Sequence, residues 1–106
     1  MLHGPYGEDG CIQGLFELAD IPYVGSGVVG SSVGMDKVIM KSVFKASDLP
    51  QLDYYVTSRS DWHSDKDQVI DSVSSILNFP VFVKPANMGS SVGAVSYTHL
   101  TLPTKA

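Results

Sequence analysis

The chain has 106 residues, of which 43% are hydrophobic and 17% charged, with a formal net charge of -4. This composition is that of a small globular protein and excludes the disordered and fibrous classes. The negative charge, without any cluster of Lys and Arg, predicts that nucleic acid is not a partner. The single cysteine, the lack of a signal peptide and the lack of an apolar run near ~18 residues predict a cytoplasmic protein without a membrane partner.

The first part of the chain is predicted to alternate helices with short extended segments. One helical face is marked by apolar residues at three- and four-residue spacing, namely Ile12, Leu15, Phe16 and Ala19. Cys11 lies among these positions and is predicted to be a core residue rather than a nucleophile. In chain order, the predicted elements are a loop at residues 3–7, a helix that opens at residues 8–9 and stops before Pro22, a strand at 21–24, a loop at 25–27 and a short helix at 28–34.

The second part continues the same alternation. Asp36 is predicted to cap a helix whose apolar side includes Val38 and Ile39. The elements predicted after it are a strand at residues 51–56, a polar loop at 57–64, a helix at 65–77, a buried strand at 79–84, a loop at 86–93 and the start of a return strand at 94–95. Helices alternating with strands predict an α/β protein.

The most informative motif joins Lys84 to the loop of Gly89, Ser90, Ser91, Val92 and Gly93. A lysine at the end of a buried strand is costly unless its charge meets an anion or an acid. Glycines let backbone N–H groups approach an anion closely, and serines add donors. The motif therefore predicts a phosphate cradle, with a hairpin that exposes a lysine at its tip as the alternative. It is not a P-loop, because no Gly-Lys-Ser/Thr follows the glycines.

A second motif, residues 3–10 (HGPYGEDG), lies at the start of the first helix. The amino end of a helix can hold anionic ligands, and His3 and Glu8 could hydrogen-bond a polar substrate. The alternative, which the residues alone favour, is a glycine-rich turn capped by acids.

A third motif, residues 25–30 (GSGVVG), fits the dinucleotide-binding pattern G-x-G-x-x-G, and Asp53 follows 23 residues after Gly30. This would predict an oxidoreductase. Two contexts weaken it: another helix–strand unit precedes the motif, and Asp53 is not clearly at the end of a strand. His3, His63 and His99 share no metal-ligand spacing, so no metal site is predicted in this chain.

Five segments together resemble the D-alanine–D-alanine ligase family. They occur in the family's order, cover residues 1–95 and are residues 3–10 (HGPYGEDG), 12–18 (IQGLFEL), 21–27 (IPYVGSG), 35–37 (MDK) and 81–93 (VFVKPANMGSSVG). The resemblance implies an α/β fold in two parts. Residues 1–35 would end an N-terminal α/β (pre-ATP-grasp) domain, and residues 36–95 would begin an ATP-grasp central domain. Residues 96–106 lack family likeness and are predicted to be a foreign or frame-shifted tail, with a divergent strand and turn as the alternative.

The resemblance also implies the chemistry. The family joins two D-alanines for peptidoglycan synthesis through an acyl phosphate made from ATP, in the cytoplasm and as a homodimer. Lys37 and Lys84 match family lysines that contact ATP phosphates, and residues 89–93 match the glycine-rich loop that closes over them, with Ser91 on phosphate. Ser90 matches a serine that helps to position substrate and lid, and His3 and Glu8 match residues near the first D-alanine and the lid.

Other parts of the family's machinery have no counterpart in this sequence. The resemblance assigns the Mg²⁺ ligands, a transition-state arginine and the lid tyrosine to regions further along the family's chains. The 106-residue chain alone is therefore predicted to be inactive. A non-catalytic ATP-grasp remnant that binds nucleotide remains an alternative, and the second substrate, D-alanine, D-lactate or D-serine, is left open.

Overall fold

The computed structural model describes residues 4, 6–88 and 93–98. Its helices and strands, in chain order, are α1 (Cys11–Leu18), α2 (Val28–Met35), α3 (Lys37–Ala46), α4 (Arg59–Ser64), α5 (Lys66–Ile76), β1 (Val81–Val83) and β2 (Val95–Tyr97). The chain forms two compact units. Unit 1 takes its described residues from Met1–Gln51 and Lys84–Ala94, and unit 2 from Leu52–Val83 and Val95–Ala106. The mixture of helices and strands agrees with the predicted α/β class.

Unit 1 joins α1 to α2 through a close contact at Gly10. This residue is buried with φ 95°, and a Cβ there would lie 2.5 Å from the Ser32 Oγ and 2.9 Å from the Val28 carbonyl oxygen. The Ser32 hydroxyl lies 2.9 Å from the Asp9 carbonyl oxygen, which it can reach as a donor. Both the left-handed backbone and the lack of space require glycine at position 10.

The predicted cap of α3 is confirmed. The Asp36 carboxylate accepts hydrogen bonds from the backbone N–H groups of Val38 and Ile39, both at 3.0 Å. These two N–H groups have no partner within the helix, so the carboxylate satisfies donors that would otherwise need water. The cap fixes where α3 begins and makes Lys37 its first residue.

Replacing Asp36 by alanine is expected to lower the free energy of unfolding of the chain by about 1–2 kcal/mol, because α3 loses its side-chain cap. Urea denaturation measures this loss. Asp36→Asn is the matched control, since asparagine also caps helices well and should cost much less. Equal losses in the two variants would contradict the capping role.

Unit 2 contains a helix that the sequence analysis placed in a loop. The prediction of a loop at residues 57–64 is wrong, because α4 forms there with a reciprocal capping box. The Ser58 hydroxyl accepts from the Asp61 N–H at 3.0 Å, and the Asp61 carboxylate accepts from the Ser58 N–H at 3.2 Å. The next helix, α5, was predicted, and Asp65 caps it through the Gln68 N–H.

The strands of unit 2 form an antiparallel pair, in which Val81 faces Tyr97 and Val83 faces Val95. The predicted return strand is thus confirmed, but the prediction that the first strand is buried is wrong beyond its first residue. Val81 is 8% exposed, whereas Phe82 is 69% exposed and Val83 50% exposed.

The predicted strands at residues 21–24 and 51–56 are also wrong, because neither segment pairs with a neighbour in the structure. A strand needs the backbone hydrogen bonds of an adjacent strand, and an apolar run cannot show whether that neighbour exists. Among the helices that the structure describes, none has the length and apolar character needed to span a bilayer.

Candidate functional site

The candidate site of unit 1 is built around the first residue of α3. The backbone N–H of Lys37 donates to the Ala86 carbonyl oxygen at 2.8 Å, and its ammonium donates to the Met88 carbonyl oxygen at 2.6 Å. The second contact joins residues 51 positions apart in the sequence. One half-buried lysine is therefore bound twice to the segment that leads into the glycine–serine loop.

Pro85, which precedes the predicted loop of residues 86–93, lies close to Gly93 at the end of that loop. Gly93 has φ +74°, and a Cβ at this position would lie 2.8 Å from the Pro85 Cγ. A side chain at position 93 would be strained by both the backbone angle and the proline ring. Of residues 89–93, the glycine–serine part of the predicted loop, the structure describes only Gly93. Gly89, Ser90, Ser91 and Val92 lie outside the described residues.

Lys84 differs from its predicted setting. It was expected at the end of a buried strand, where an ammonium needs an anion, but its side chain is exposed and follows a strand in which two of three residues are exposed. Burial therefore does not require an anion beside Lys84. Lys84 nevertheless lies two residues before Ala86, whose carbonyl accepts a hydrogen bond from the Lys37 N–H. The fold thus brings both predicted phosphate-binding lysines to one short segment.

Glu8 lies in a tight turn before α1. Its carboxylate accepts a hydrogen bond from the Gly4 N–H at 2.7 Å, and the Gly4 carbonyl accepts from the N–H groups of Gly7 and Glu8, each at 3.2 Å. This is the glycine-rich turn capped by an acid that the residues alone favoured. His3 lies outside the described residues, so its predicted role next to Glu8 remains a prediction.

Replacing Glu8 by alanine is expected to destabilise the turn at residues 4–8. The loss of a hydrogen bond to a charged, half-buried carboxylate should lower the free energy of unfolding by about 1 kcal/mol. Chemical denaturation measures the change, and Glu8→Gln, which keeps an acceptor oxygen, should retain most of the stability. A Glu8→Ala variant as stable as the wild type would show that the carboxylate does not hold the turn.

Cys11 is not the core residue predicted, because its side chain is exposed at the first position of α1. A side-chain hydrogen bond with Asp9 raises the pKa of the Cys11 thiol. The same neighbourhood lowers the pKa of Asp9, mainly because its carboxylate accepts from the Cys11 N–H. A raised pKa leaves less thiolate, which is the nucleophilic form. Cys11 is therefore neither core nor an activated nucleophile.

Two comparisons with known families cover most of the chain. The family described as D-ala D-ala ligase C-terminus matches residues 43–101, and that described as D-ala D-ala ligase N-terminus matches residues 1–26. The D-alanine–D-alanine ligase of Heliobacterium modesticaldum is 62% identical over 99 residues, which are 93% of this chain and 27% of that protein.

Solved structures agree with these matches. The D-alanine–D-alanine ligase from Coxiella burnetii superimposes with a TM-score of 0.80 at 36% identity, over 92% of this chain and 28% of that one. The VanG D-Ala:D-Ser ligase from Enterococcus faecalis superimposes with a TM-score of 0.73 at 33% identity, over 90% and 26% of the two chains.

The fold is thus the α/β fold found in part of the solved D-alanine–D-alanine ligases. The chain belongs to the D-alanine–D-alanine ligase family, and it spans 27% of the length of the Heliobacterium relative. The dinucleotide-binding alternative is not supported. Gly27 precedes helix α2, but the strand that the pattern needs before it does not form at residues 21–24.

The contact between the Lys37 ammonium and the Met88 carbonyl is the feature of the site that sequence reasoning missed. The resemblance predicted that Lys37 contacts an ATP phosphate, but it predicted no partner for this lysine within the protein. The one local signal was Asp36, a good cap residue that sets Lys37 at the start of a helix.

Proposed function

We propose that the protein to which this chain belongs is an ATP-dependent ligase that joins two D-alanines for peptidoglycan synthesis, as a cytoplasmic homodimer. The observation that carries the proposal is the placement of Lys37 against the carbonyls of Ala86 and Met88, immediately before the glycine–serine loop. Family membership supplies the reaction, and this geometry supports the ATP side of it.

The proposed reaction has two steps. The γ-phosphoryl group of ATP passes to the carboxylate of the first D-alanine, which gives an acyl phosphate and ADP. The amine of the second D-alanine then attacks the acyl carbon, so that the peptide bond forms, phosphate leaves and the amine loses a proton. The first step brings anionic oxygens together, and cations with N–H donors must offset their repulsion.

We propose that residues of this chain offset the negative charge of these oxygens. We assign Lys37 and Lys84 to the ATP phosphates, and Gly89, Ser90, Ser91, Val92 and Gly93 to the loop over them. The strain that a side chain would meet at position 93 supports a glycine-specific role at the loop's end. Ser90, His3 and Glu8 are assigned to the first D-alanine and the lid. For Glu8 we propose an indirect role, because its carboxylate holds the turn by accepting a hydrogen bond from the Gly4 N–H.

Two cations near one backbone segment suit a polyphosphate, so ATP fits the residues present. Mg²⁺ is proposed for the whole protein, where it would neutralise phosphate charge. Within residues 4, 6–88 and 93–98 no group of three His, Cys, Asp or Glu side chains could hold a metal ion. No residue described here is therefore given a metal-binding role.

The domain boundaries are likewise proposals. We place the end of the N-terminal domain at residue 35, the start of the ATP-grasp domain at residue 36, and a tail at residues 96–106. For the second substrate the candidates are D-alanine, D-lactate and D-serine, and the similar VanG structure is that of a D-Ala:D-Ser ligase.

A full-length test protein can be made by replacing the matching segment of the 62% identical Heliobacterium relative with residues 1–95 of this chain, which leaves out the proposed tail. We call it the reconstituted ligase. It is expected to release phosphate from ATP only when D-alanine is present, and to form the D-alanyl dipeptide. ATP hydrolysis without dipeptide, at any D-alanine concentration, would contradict the proposed function.

The 106-residue chain alone is expected to show no D-alanine-dependent phosphate release, because it spans only about a quarter of its relatives' length. The same coupled phosphate assay measures this, with the reconstituted ligase as positive control. Turnover by the short chain would refute the expectation. Tight ATP binding by the short chain without turnover, lost on Lys84→Ala, would instead favour the nucleotide-binding remnant.

A further inference from the structure

We propose that Lys37 is also a positioning residue. Its ammonium holds residues 86–88 in place through the Met88 carbonyl until a nucleotide phosphate replaces this carbonyl as its hydrogen-bond partner. The inference rests on the proposed function, because it adds to the phosphate contact assigned to Lys37. It concerns what this lysine does when no nucleotide is bound.

The first support is that both donors of Lys37 reach the same segment. The N–H of a helix's first residue has no partner within the helix, and here it finds the Ala86 carbonyl at 2.8 Å. Two residues further on, the Met88 carbonyl takes the ammonium at 2.6 Å. Together the two bonds fix a segment that has no regular secondary structure of its own.

The second support is that the helix fixes the backbone of Lys37. Asp36 caps α3, so the position of Lys37 is set by the helix and not by its flexible side chain alone. The ammonium therefore reaches the Met88 carbonyl from a constrained backbone position.

The third support is chemical. An ammonium carries three donors, and it binds an anionic oxygen more strongly than a neutral carbonyl. A phosphate that reaches Lys37 therefore competes well with the Met88 carbonyl. Exchange of partners would free this carbonyl, so nucleotide binding and the order of residues 86–88 become linked.

The test uses residue-resolved hydrogen exchange on the reconstituted ligase without nucleotide. The probe is the backbone N–H of residue 37, which is bound to the Ala86 carbonyl. In Lys37→Met this N–H should exchange about fivefold faster or more, after correction for intrinsic rates, because a charge-assisted bond that supports the contact is lost. Lys37→Arg, which keeps a cationic donor, should restore the rate to within about twofold of the wild type. Lys45→Met removes an exposed lysine from the same helix and should change nothing.

A second measurement needs no variant, and so does not depend on the fold of Lys37→Met. With Met labelled at its carbonyl carbon and Gly at its nitrogen, the bond between Met88 and Gly89 is the one Met–Gly pair that this sequence brings to the reconstituted ligase, and triple-resonance experiments assign its signal. Its carbonyl resonance should move upfield when a non-hydrolysable ATP analogue saturates the enzyme, as expected for a carbonyl that loses a donor. An unchanged or downfield resonance would overturn the inference.

The outcomes separate the two proposals. If Lys37→Met weakens ATP binding but leaves exchange at residue 37 unchanged, the positioning role is wrong and the proposed function stands. If exchange rises while the KM for ATP is unchanged, Lys37 holds residues 86–88, but the phosphate contact of Lys37 and the exchange of partners on nucleotide binding are both wrong.

Discussion

Replacing Lys84 by alanine in the reconstituted ligase is expected to lower kcat/KM for ATP about 100-fold or more. The lysine lies two residues before Ala86, whose carbonyl binds the Lys37 N–H, and we propose that its ammonium contacts the same nucleotide phosphates. Its loss would leave the acyl-phosphate step with one cation fewer against several anionic oxygens. Because that charge matters most in the transition state, kcat should fall more than ATP affinity. Steady-state kinetics with ATP as the varied substrate measures both.

Lys45→Ala is the matched control for this prediction. It removes the same charge from an exposed position near the end of α3, and its kcat/KM should stay within about twofold of the wild type. Unchanged kinetics in the Lys84→Ala enzyme would show that Lys84 is not part of a phosphate-binding site. Membership of the family would be unaffected.

Replacing Gly10 by alanine is expected to lower the free energy of unfolding of the chain by about 2–4 kcal/mol. The backbone at this residue has φ 95°, which costs an L-residue energy before any contact is considered. The added Cβ would also lie 2.9 Å from the Val28 carbonyl oxygen, a backbone atom that cannot move without shifting α2. Urea denaturation, followed by far-UV circular dichroism, measures the loss.

Gly14 provides the opposite case in the same sequence. It lies within α1, and a Cβ there would meet no atom within 4 Å. Gly14→Ala should therefore raise stability by about 0.5–1 kcal/mol, the ordinary gain for alanine over glycine within a helix. Equal effects of the two substitutions would show that the close contact between α1 and α2 is absent in solution.

The helices were largely predictable because their signals are local. The apolar spacing of Ile12, Leu15 and Phe16 indicated α1, and Asp36 and Asp65 each preceded an apolar, periodic stretch that became α3 and α5. A helix satisfies its own backbone, so residues within four positions of one another carry most of the information. A local signal also existed for α4, since Ser58 and Asp61 have the spacing of a capping box.

The strands were less predictable because their partners are distant. Residues 21–24 and 51–56 have strand-like composition but form no strand in the structure. Among residues 4, 6–88 and 93–98, only β1 and β2 met the condition that a second strand lies alongside. Exposure was misjudged for the same reason, since an apolar run such as residues 81–83 does not show whether anything covers it.

The site was predictable in its residue types but not in its contacts. Lys37 and Lys84 were marked by the resemblance to the ligase family, while the residues alone left the loop after Lys84 open between a phosphate cradle and a simple hairpin. No local pattern could show that the Lys37 ammonium binds the Met88 carbonyl, because the two residues are 51 positions apart and meet only through the fold. The contact of Glu8, in contrast, was predictable from nearby residues, because an acid in a glycine-rich turn commonly caps that turn.

The central claim is that the ammonium groups of Lys37 and Lys84 both bind the phosphates of ATP. A crystal structure of the reconstituted ligase with a non-hydrolysable ATP analogue measures this without relying on a variant. We expect each Nζ within about 3.2 Å of a phosphate oxygen. If the Nζ of either lysine lies beyond hydrogen-bonding distance of every phosphate oxygen, the claim is contradicted.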